Sequence, residues 1–395
     1  MTPGAHAAAG RARLSRPALI VLGGLTAVAP LITDLYLPAL PDIRNAYDTT
    51  DAMAQMTLSA CLIGLALGQL VAGPWSDRAG RMRPLTWGVA LLALTTFLCA
   101  IAPSITVLLA LRFAQGLVGA AAMVVARAIV RDVYDGARAA KLFSELMLVM
   151  GLAPVLGPLI GGQILRLTDW RGVFAVLSGL CIALLVATRT VLHETLPPER
   201  RSRDERVPAA VHALLVDRRF IVLLGLNSLL GATLFSYITL SSFVFQHEYA
   251  LSVTGYSLAL GGNAIGMVVG GLVNSRLVLQ HGPHRRLHHN LTGLALAGTA
   301  TGIALVVDAP LPLVLVPLWF VLACLGGSLG NATALGLQDH PSRAGTASAL
   351  LGGSTFLSGA AVPPLVSLGG AMGATLVVTT WAAFLSLPLI SRSML

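Results

Sequence analysis

A carboxylate and a guanidinium interrupt two of the most apolar stretches of this chain. Asp34 lies in LITDLYLPALP, at the end of an apolar run that starts at Pro17, and Arg112 lies in LRFAQGLVGA with Gln115 one turn on. A charge at membrane depth costs roughly 2.5–3.5 kcal/mol on insertion scales, and side chains kept there at that cost are as a rule functional. The chemistry open to this pair is proton carriage. Burial favours the neutral acid and a nearby arginine favours the carboxylate, so an acid balanced between them can change protonation when its surroundings change. Asp34 precedes Asp42, the outer end of the first apolar run, by eight residues; Arg112 follows Ser104, the outer end of the fourth, by eight. At 1.5 Å per helical residue both lie about 12 Å below one face. They are expected to share a polar cavity in which each lowers the other's burial cost. A structural ion pair is the alternative.

The elements that hold these residues follow from composition. Of 395 residues, 55% are hydrophobic and 11% charged, against about 25% charged in soluble proteins. The chain reads as a polytopic membrane protein. Runs near the 20 residues a spanning helix needs fall at 17–40, 54–76, 83–103, 105–130, 141–165, 172–192, 219–246, 254–279, 288–308, 311–337, 344–368 and 370–391. Alternating strands of a barrel are absent. The N-terminal run has no convincing cleavage site and continues past signal-peptide length, so it reads as an uncleaved first span. Of 26 basic residues, 20 fall in the tails and even-numbered connections. This asymmetry puts both termini in the cytoplasm and the protein in the cell membrane. It also accounts for the net charge of +9 without any nucleic-acid partner. The longest polar stretch starts at His193, which gives an N-terminal six-helix bundle over 1–192, a cytoplasmic linker over 193–218 and a C-terminal bundle over 219–395. Two related halves of this kind are common in secondary transporters.

Two further stretches carry specific patterns. GPWSDRAGRMR, from Gly73, places Asp77 among Arg78, Arg81 and Arg83, with Gly80 free to make a tight turn. GLAPVLGPLIGG, from Gly151, places Gly157, Pro158 and Gly161 in the fifth span, and Gly262, Gly266 and Gly270 recur every four residues in the eighth. Proline bends a helix and glycine admits close helix contact, so the fifth and eighth spans are expected to pack together. The first stretch resembles the cytoplasmic loop signature of the major facilitator superfamily. The second resembles the glycine-proline signature of its exporters, with Ala153 or a displaced Gly151 in place of the first glycine. DLYLPALPDI, ARAIVRDVYDG, SSFVFQHEYALS and HPSRAGTASALLG add a likeness to the Bcr/CflA drug-resistance exporters.

That resemblance implies an all-α integral membrane protein of twelve transmembrane helices in the major facilitator fold. It implies a proton-coupled antiporter that exports small, mostly apolar drugs such as chloramphenicol or bicyclomycin by alternating access. Asp34 and Arg112 would couple protons. Tyr36, Gln115, Met123, Phe235, Tyr237 and Asn263 would line the drug site by span position. Asp77, Arg78, Gly80, Arg81, Asp132, Gly157, Pro158 and Gly161 would gate, with Asp77 facing the start of the eleventh span and Arg81 pairing with Asp132. The expected partners are the drug, protons and the bilayer, around a monomer that uses the proton gradient and no cofactor. Catalytic sets and metal clusters do not stand out: Cys61, Cys99, Cys181 and Cys324 read as apolar fillers, and His281, His284, His288 and His289 as a solvated basic loop. A carrier for a sugar or endogenous metabolite and a non-transporting membrane sensor are the rival readings.

Overall fold

The computed structural model describes residues 14–134, 142, 146, 156–201, 207–339, 344–367, 372–386 and 388, and holds no strand among them. In chain order the helices are α1 (Arg16–Asp34), α2 (Leu40–Ala46), α3 (Asp51–Ala79), α4 (Met82–Ala100), α5 (Ile105–Val133), α6 (Leu156–Leu165), α7 (Trp170–Val191), α8 (Val207–Val216), α9 (Arg218–Phe243), α10 (Val253–Val306), α11 (Leu311–Gln338), α12 (Ala344–Ser367) and α13 (Met372–Leu385). Six begin at a side-chain cap: Ser15, Thr50, Ser104, Asp169, Asp217 and Ser252 each accept a first-turn amide. Such caps satisfy donors that have no partner within the helix.

Every expected span coincides with a described helix, the fifth only through its second half, α6. Most of residues 141–155 lie outside the described residues, including Lys141, Glu145 and the leading GLAPV. Helix α10 supplies two spans. It bends at Gly282, whose φ of 74° and ψ of 159° closely match the 88° and 168° of Gly80 between α3 and α4. A side chain is strained at positive φ, so glycine is required at both turns. The linker is not wholly extended: α8 forms within it, and buried Leu214 packs on Phe220, Ala347 and Leu351.

Helix α1 stops at Asp34 for a reason legible in the chain. An α-helix would bond the amide of residue 38 to the carbonyl of residue 34, and residue 38 is proline, which has no amide proton. A tight turn at Leu37–Ala39 follows, and α2 resumes the span. Asp34 therefore sits at a helix end inside the membrane segment.

Packing follows chain order. Helices α1, α3, α4, α5 and α7 contact one another, and α9, α10, α11, α12 and α13 do likewise. The two groups meet where α3 lies along α12 and where α2 meets α9. Gln246 Nε2 donates to the Pro38 carbonyl over 3.4 Å across the latter contact. At α3–α5 the approach is backbone to backbone, since a Cβ on Gly116 would run into the Cys61 carbonyl.

Candidate functional site

Arg112 is fully buried on α5, and its partners are fixed. Nη1 donates to the Ile32 carbonyl at 2.9 Å and to Gln115 Oε1, and Nε donates to the Thr57 carbonyl at 3.3 Å. The guanidinium carbon lies 4.2 Å from the Tyr36 ring centroid and 5.6 Å from that of Phe174, within cation–π range. Gln115 is itself held by Thr96, whose Oγ1 accepts from its Nε2 at 2.8 Å. The Tyr36 hydroxyl lies 3.1 Å from Thr57 Oγ1, and that hydroxyl donates to the Ala54 carbonyl at 2.6 Å. Thr57 has one proton to give, so Tyr36 is the donor.

Asp34 is 3% exposed, and its Oδ1 accepts from the Thr33 hydroxyl at 2.8 Å. The described ion pairs do not join it to Arg112. The expectation that the two charges offset each other's burial is thereby corrected. Arg112 reaches α1 at Ile32, and two further residues turn a helix side chain by roughly 200°. Arg112 is thus satisfied by a backbone carbonyl of α1 rather than by the Asp34 carboxylate. Asp34 instead faces α6: a Cβ on Gly157 would lie 3.2 Å from the Asp34 Cβ, and one on Gly161 would meet the Leu35 carbonyl. Pro158 is buried beside them.

This corrects a second expectation. Gly157 and Gly161 pack on α1, and Gly266 and Gly270 pack on Trp319 and Ala323 of α11. Only Gly162, which abuts Ser257, brings the fifth and eighth spans together among these glycines, and Gly262 faces open space. Glycine spacing announces a close contact but does not name its partner.

Among the expected lining residues, Met123, Phe235, Tyr237 and Asn263 are all buried. Phe235 stacks on Phe356 of α12 with centroids 5.8 Å apart. Among the described residues, Tyr237 Oη and Asn263 Nδ2 have no hydrogen-bond partner, and neither has Gln55 Oε1 on α3. Gln55 was not among the expected residues.

At the arginine-rich end a second site forms around Arg81. Its Nε and Nη2 grip Asp132 Oδ2 and Oδ1 at 2.7 and 3.2 Å, and Nη1 donates to Ser76 Oγ at 2.8 Å and to Asp77 Oδ1. The planar fork of arginine suits this two-point grip. Thr195 Oγ1 adds a bond to Asp132 Oδ2 at 3.1 Å. Arg78 is exposed and joins none of the described bonds or ion pairs. Asp77 was expected to face the start of the eleventh span; its described partner is Arg81, and residues 340–343, just ahead of that span, lie outside the described residues.

Glu194 was missed from the sequence. Its Oε1 accepts from the Arg81 and Leu196 amides at 2.8 and 3.0 Å, and its Oε2 from the Met82 amide at 3.3 Å, with Arg201 Nη2 3.9 Å away. Partial burial pushes its pKa up, but the three amides and Arg201 outweigh that, so the Glu194 carboxyl titrates below its ordinary range. It caps the first turn of α4 from the segment that follows α7. Its only sequence signal is a lone acid just past an apolar run.

Helices long and apolar enough to span a membrane, with a buried arginine on backbone carbonyls and a buried acid at a helix break, mark a polytopic membrane protein. A family model for the Major Facilitator Superfamily matches residues 22–363, and the chain belongs to that superfamily. It is 34% identical over 391 residues to the uncharacterized MFS-type transporter YdgK of Bacillus subtilis, covering 95% of this chain and 94% of that one. It is 31% identical over 363 residues to the bicyclomycin resistance protein homolog of Haemophilus influenzae, with 88% of each chain covered. Against the multidrug resistance protein MdtL of Vibrio parahaemolyticus it is 28% identical, with 83% of each covered. Among solved structures, the nucleoside transporter NupG superposes with a TM-score of 0.75 at 11% identity, covering 96% of this chain and 100% of that one. A D-xylose-proton symporter superposes at 0.73 and 17% identity, covering 93% and 97%. These likenesses show the fold.

Proposed function

We propose that this transporter exports small, uncharged drugs across the cytoplasmic membrane in exchange for protons. The observation that carries this reading is Asp34: buried, bonded to a neutral hydroxyl, and set at a helix break against α6. A buried carboxyl without a cation is least costly when it holds a proton. The contact of α6 with Asp34 and Leu35 is backbone-close, so a shift of α6 changes what Asp34 touches. Drug entry would favour proton release to the cytoplasm, and a proton from outside would favour drug release. The names of the Haemophilus and Vibrio relatives support the drug class. In this reading, bundles 1–192 and 219–395 rock about the 193–218 linker, both termini are cytoplasmic, and the unit is a monomer. Asp77, Gly80, Arg81 and Asp132 would hold the cytoplasmic side, with Glu194 as an added brace. Arg112 would keep α1, α3 and α5 in register around the acid.

The unpartnered Tyr237, Asn263 and Gln55 atoms favour a substrate that carries hydrogen-bonding groups over a purely apolar one, because a buried polar atom gains most from a partner. The same atoms favour a second reading, export of a polar metabolite. The test is chloramphenicol accumulation in cells expressing the chain or Asp34→Asn, with and without a protonophore. Efflux that both treatments abolish at equal expression supports the proposal. An Asp34→Asn variant that pumps at the native rate would sink the role of Asp34, and no efflux from the native chain would turn the search to metabolites.

A further inference from the structure

A groove of about 640 Å³ opens on the membrane-facing side, between the last turn of the seventh span, the second limb of α10 and α13. Its walls are apolar, including exposed Ile303, Val306 and Val378, and at Gly302 and Gly373 the two helices come into backbone contact. Thr299 lies at its floor, seven residues before Val306, about 10 Å down the helix. Trp381 stands beside that floor, its Nε1 donating to Thr299 Oγ1 at 2.8 Å.

One charged residue lines the groove. The chain after Phe243 forms a π-turn, Val244–Glu248, and such turns re-aim side chains and recur at functional sites. Here Val244 and Glu248 both line the groove. Asp308 follows Val307, another lining residue, at a turn with φ of 50°. Both carboxylates act on Tyr249, whose hydroxyl titrates above its ordinary range through burial, then Glu248, then Asp308. Neither acid joins a described ion pair. No Lys or Arg occurs in the neighbouring connections 249–252, 307–310 and 368–371. Two acids thus stand at the mouth of an apolar groove, at headgroup level, with no ion pair among the described residues.

We infer that this groove holds one acyl chain of phosphatidylethanolamine, with the primary ammonium of its headgroup on Glu248 and Asp308. The site lies in the leaflet opposite the arginine-rich face. A primary ammonium can donate charge-assisted hydrogen bonds to carboxylates. The quaternary ammonium of phosphatidylcholine has no proton to donate, and the anionic headgroup of phosphatidylglycerol is repelled.

The test uses Trp381 as the only tryptophan, with the other four replaced by Phe, in vesicles where a set fraction of one lipid carries brominated chains. Bromine quenches on contact. Phosphatidylethanolamine is expected to associate roughly five-fold more strongly than phosphatidylcholine, as one charge interaction at a membrane surface implies. Glu248→Gln with Asp308→Asn should bring the two lipids level; Asn keeps the left-handed turn at position 308. Native mass spectrometry of the unaltered chain against the same double variant, counting retained lipids, gives a readout that needs no tryptophan replacement. Equal quenching by both lipids, or a preference that survives the double substitution, would overturn the inference. Stronger quenching by a brominated alkyltrimethylammonium than by the lipid would overturn it in favour of a cationic amphiphile.

Discussion

Arg81 and Asp132 should be strongly coupled in stability, and the structure sets the size of the effect. Their side chains are 4% and 13% exposed, so the pair is buried at the protein's own edge. Two charge-assisted bonds join them, at 2.7 and 3.2 Å, each worth about 1.5–3 kcal/mol to a charged group. Truncating either partner leaves the other's charge poorly paired, and the cost for such sites is about 3–5 kcal/mol. Arg81→Ala also removes the bonds to Ser76 and Asp77 but keeps the Arg81 amide on Glu194, so the Gly80 turn should persist. The assay is a double-mutant cycle: native chain, Arg81→Ala, Asp132→Ala and both, unfolded by denaturant in detergent. A coupling of about 2–4 kcal/mol is expected from those bonds, little changed by salt because the pair is shielded from it. The Arg44–Asp51 pair, 3.0 Å apart with both side chains about two-fifths exposed, provides the contrast. Its coupling should be about 0–1 kcal/mol and should fade in high salt. Single-site costs at Arg81 and Asp132 that add to within about 0.5 kcal/mol would refute the claim that this fork clamps α3–α4 to α5.

Glu194 titrates below its ordinary value of 4.5 in the folded protein. Its contribution is therefore fully present above about pH 4.5 and is lost as pH falls further through the depressed value. Glu194→Gln should flatten the acid side of a stability–pH profile, and an unchanged slope would show that its amide contacts contribute nothing. Gly161→Ala drives a Cβ into the Leu35 carbonyl, whereas Gly262→Ala meets nothing within 4 Å. The first should lower stability by about 1–3 kcal/mol, the usual cost of overpacking, and slow transport; the second should do neither, as thermal unfolding and efflux assays would show. Tyr237→Phe removes a hydroxyl for which no hydrogen-bond partner stands among the described residues, so stability should hold or rise. Its transport KM should increase by roughly ten-fold for a hydrogen-bonding drug, about 1.4 kcal/mol for one lost bond, and stay level for an apolar dye. Equal effects on both would remove Tyr237 from substrate contact.

The spans were legible because each is a local property: length, apolar content and a capping residue such as Thr50 or Ser104 suffice. The Gly80 turn was legible because a glycine in a short charged loop marks a tight turn, and the Arg81–Asp132 contact was implied by the resemblance to the superfamily's loop signature. Azimuth was not legible. The eight-residue count from each helix end set an expected depth for Asp34 and Arg112 but gave no information on which groups each would meet. Arg112 is bound by the carbonyls of Ile32 and Thr57, and every residue has a carbonyl, so no side-chain pattern could announce them. Glu194 was hidden in the same way, because its partners are amides.

The two buried charges are thus held in opposite ways, and the difference bears on which one can move a proton. Arg112 is enclosed by two carbonyls, an amide oxygen and the faces of Tyr36 and Phe174. Each of these stabilises a fixed cation, and arginine does not give up its proton in proteins. Asp34 has a single described partner, a hydroxyl on the adjoining residue, which travels with it. Its remaining surroundings are helix neighbours that can slide. The break at Pro38 places it where α1 has no continuous hydrogen-bond ladder to lose if the segment tilts. Under the proposed exchange, a fixed Arg112 and an acid bonded only to its neighbour would let protonation follow conformation without the framework of α1, α3 and α5 coming apart.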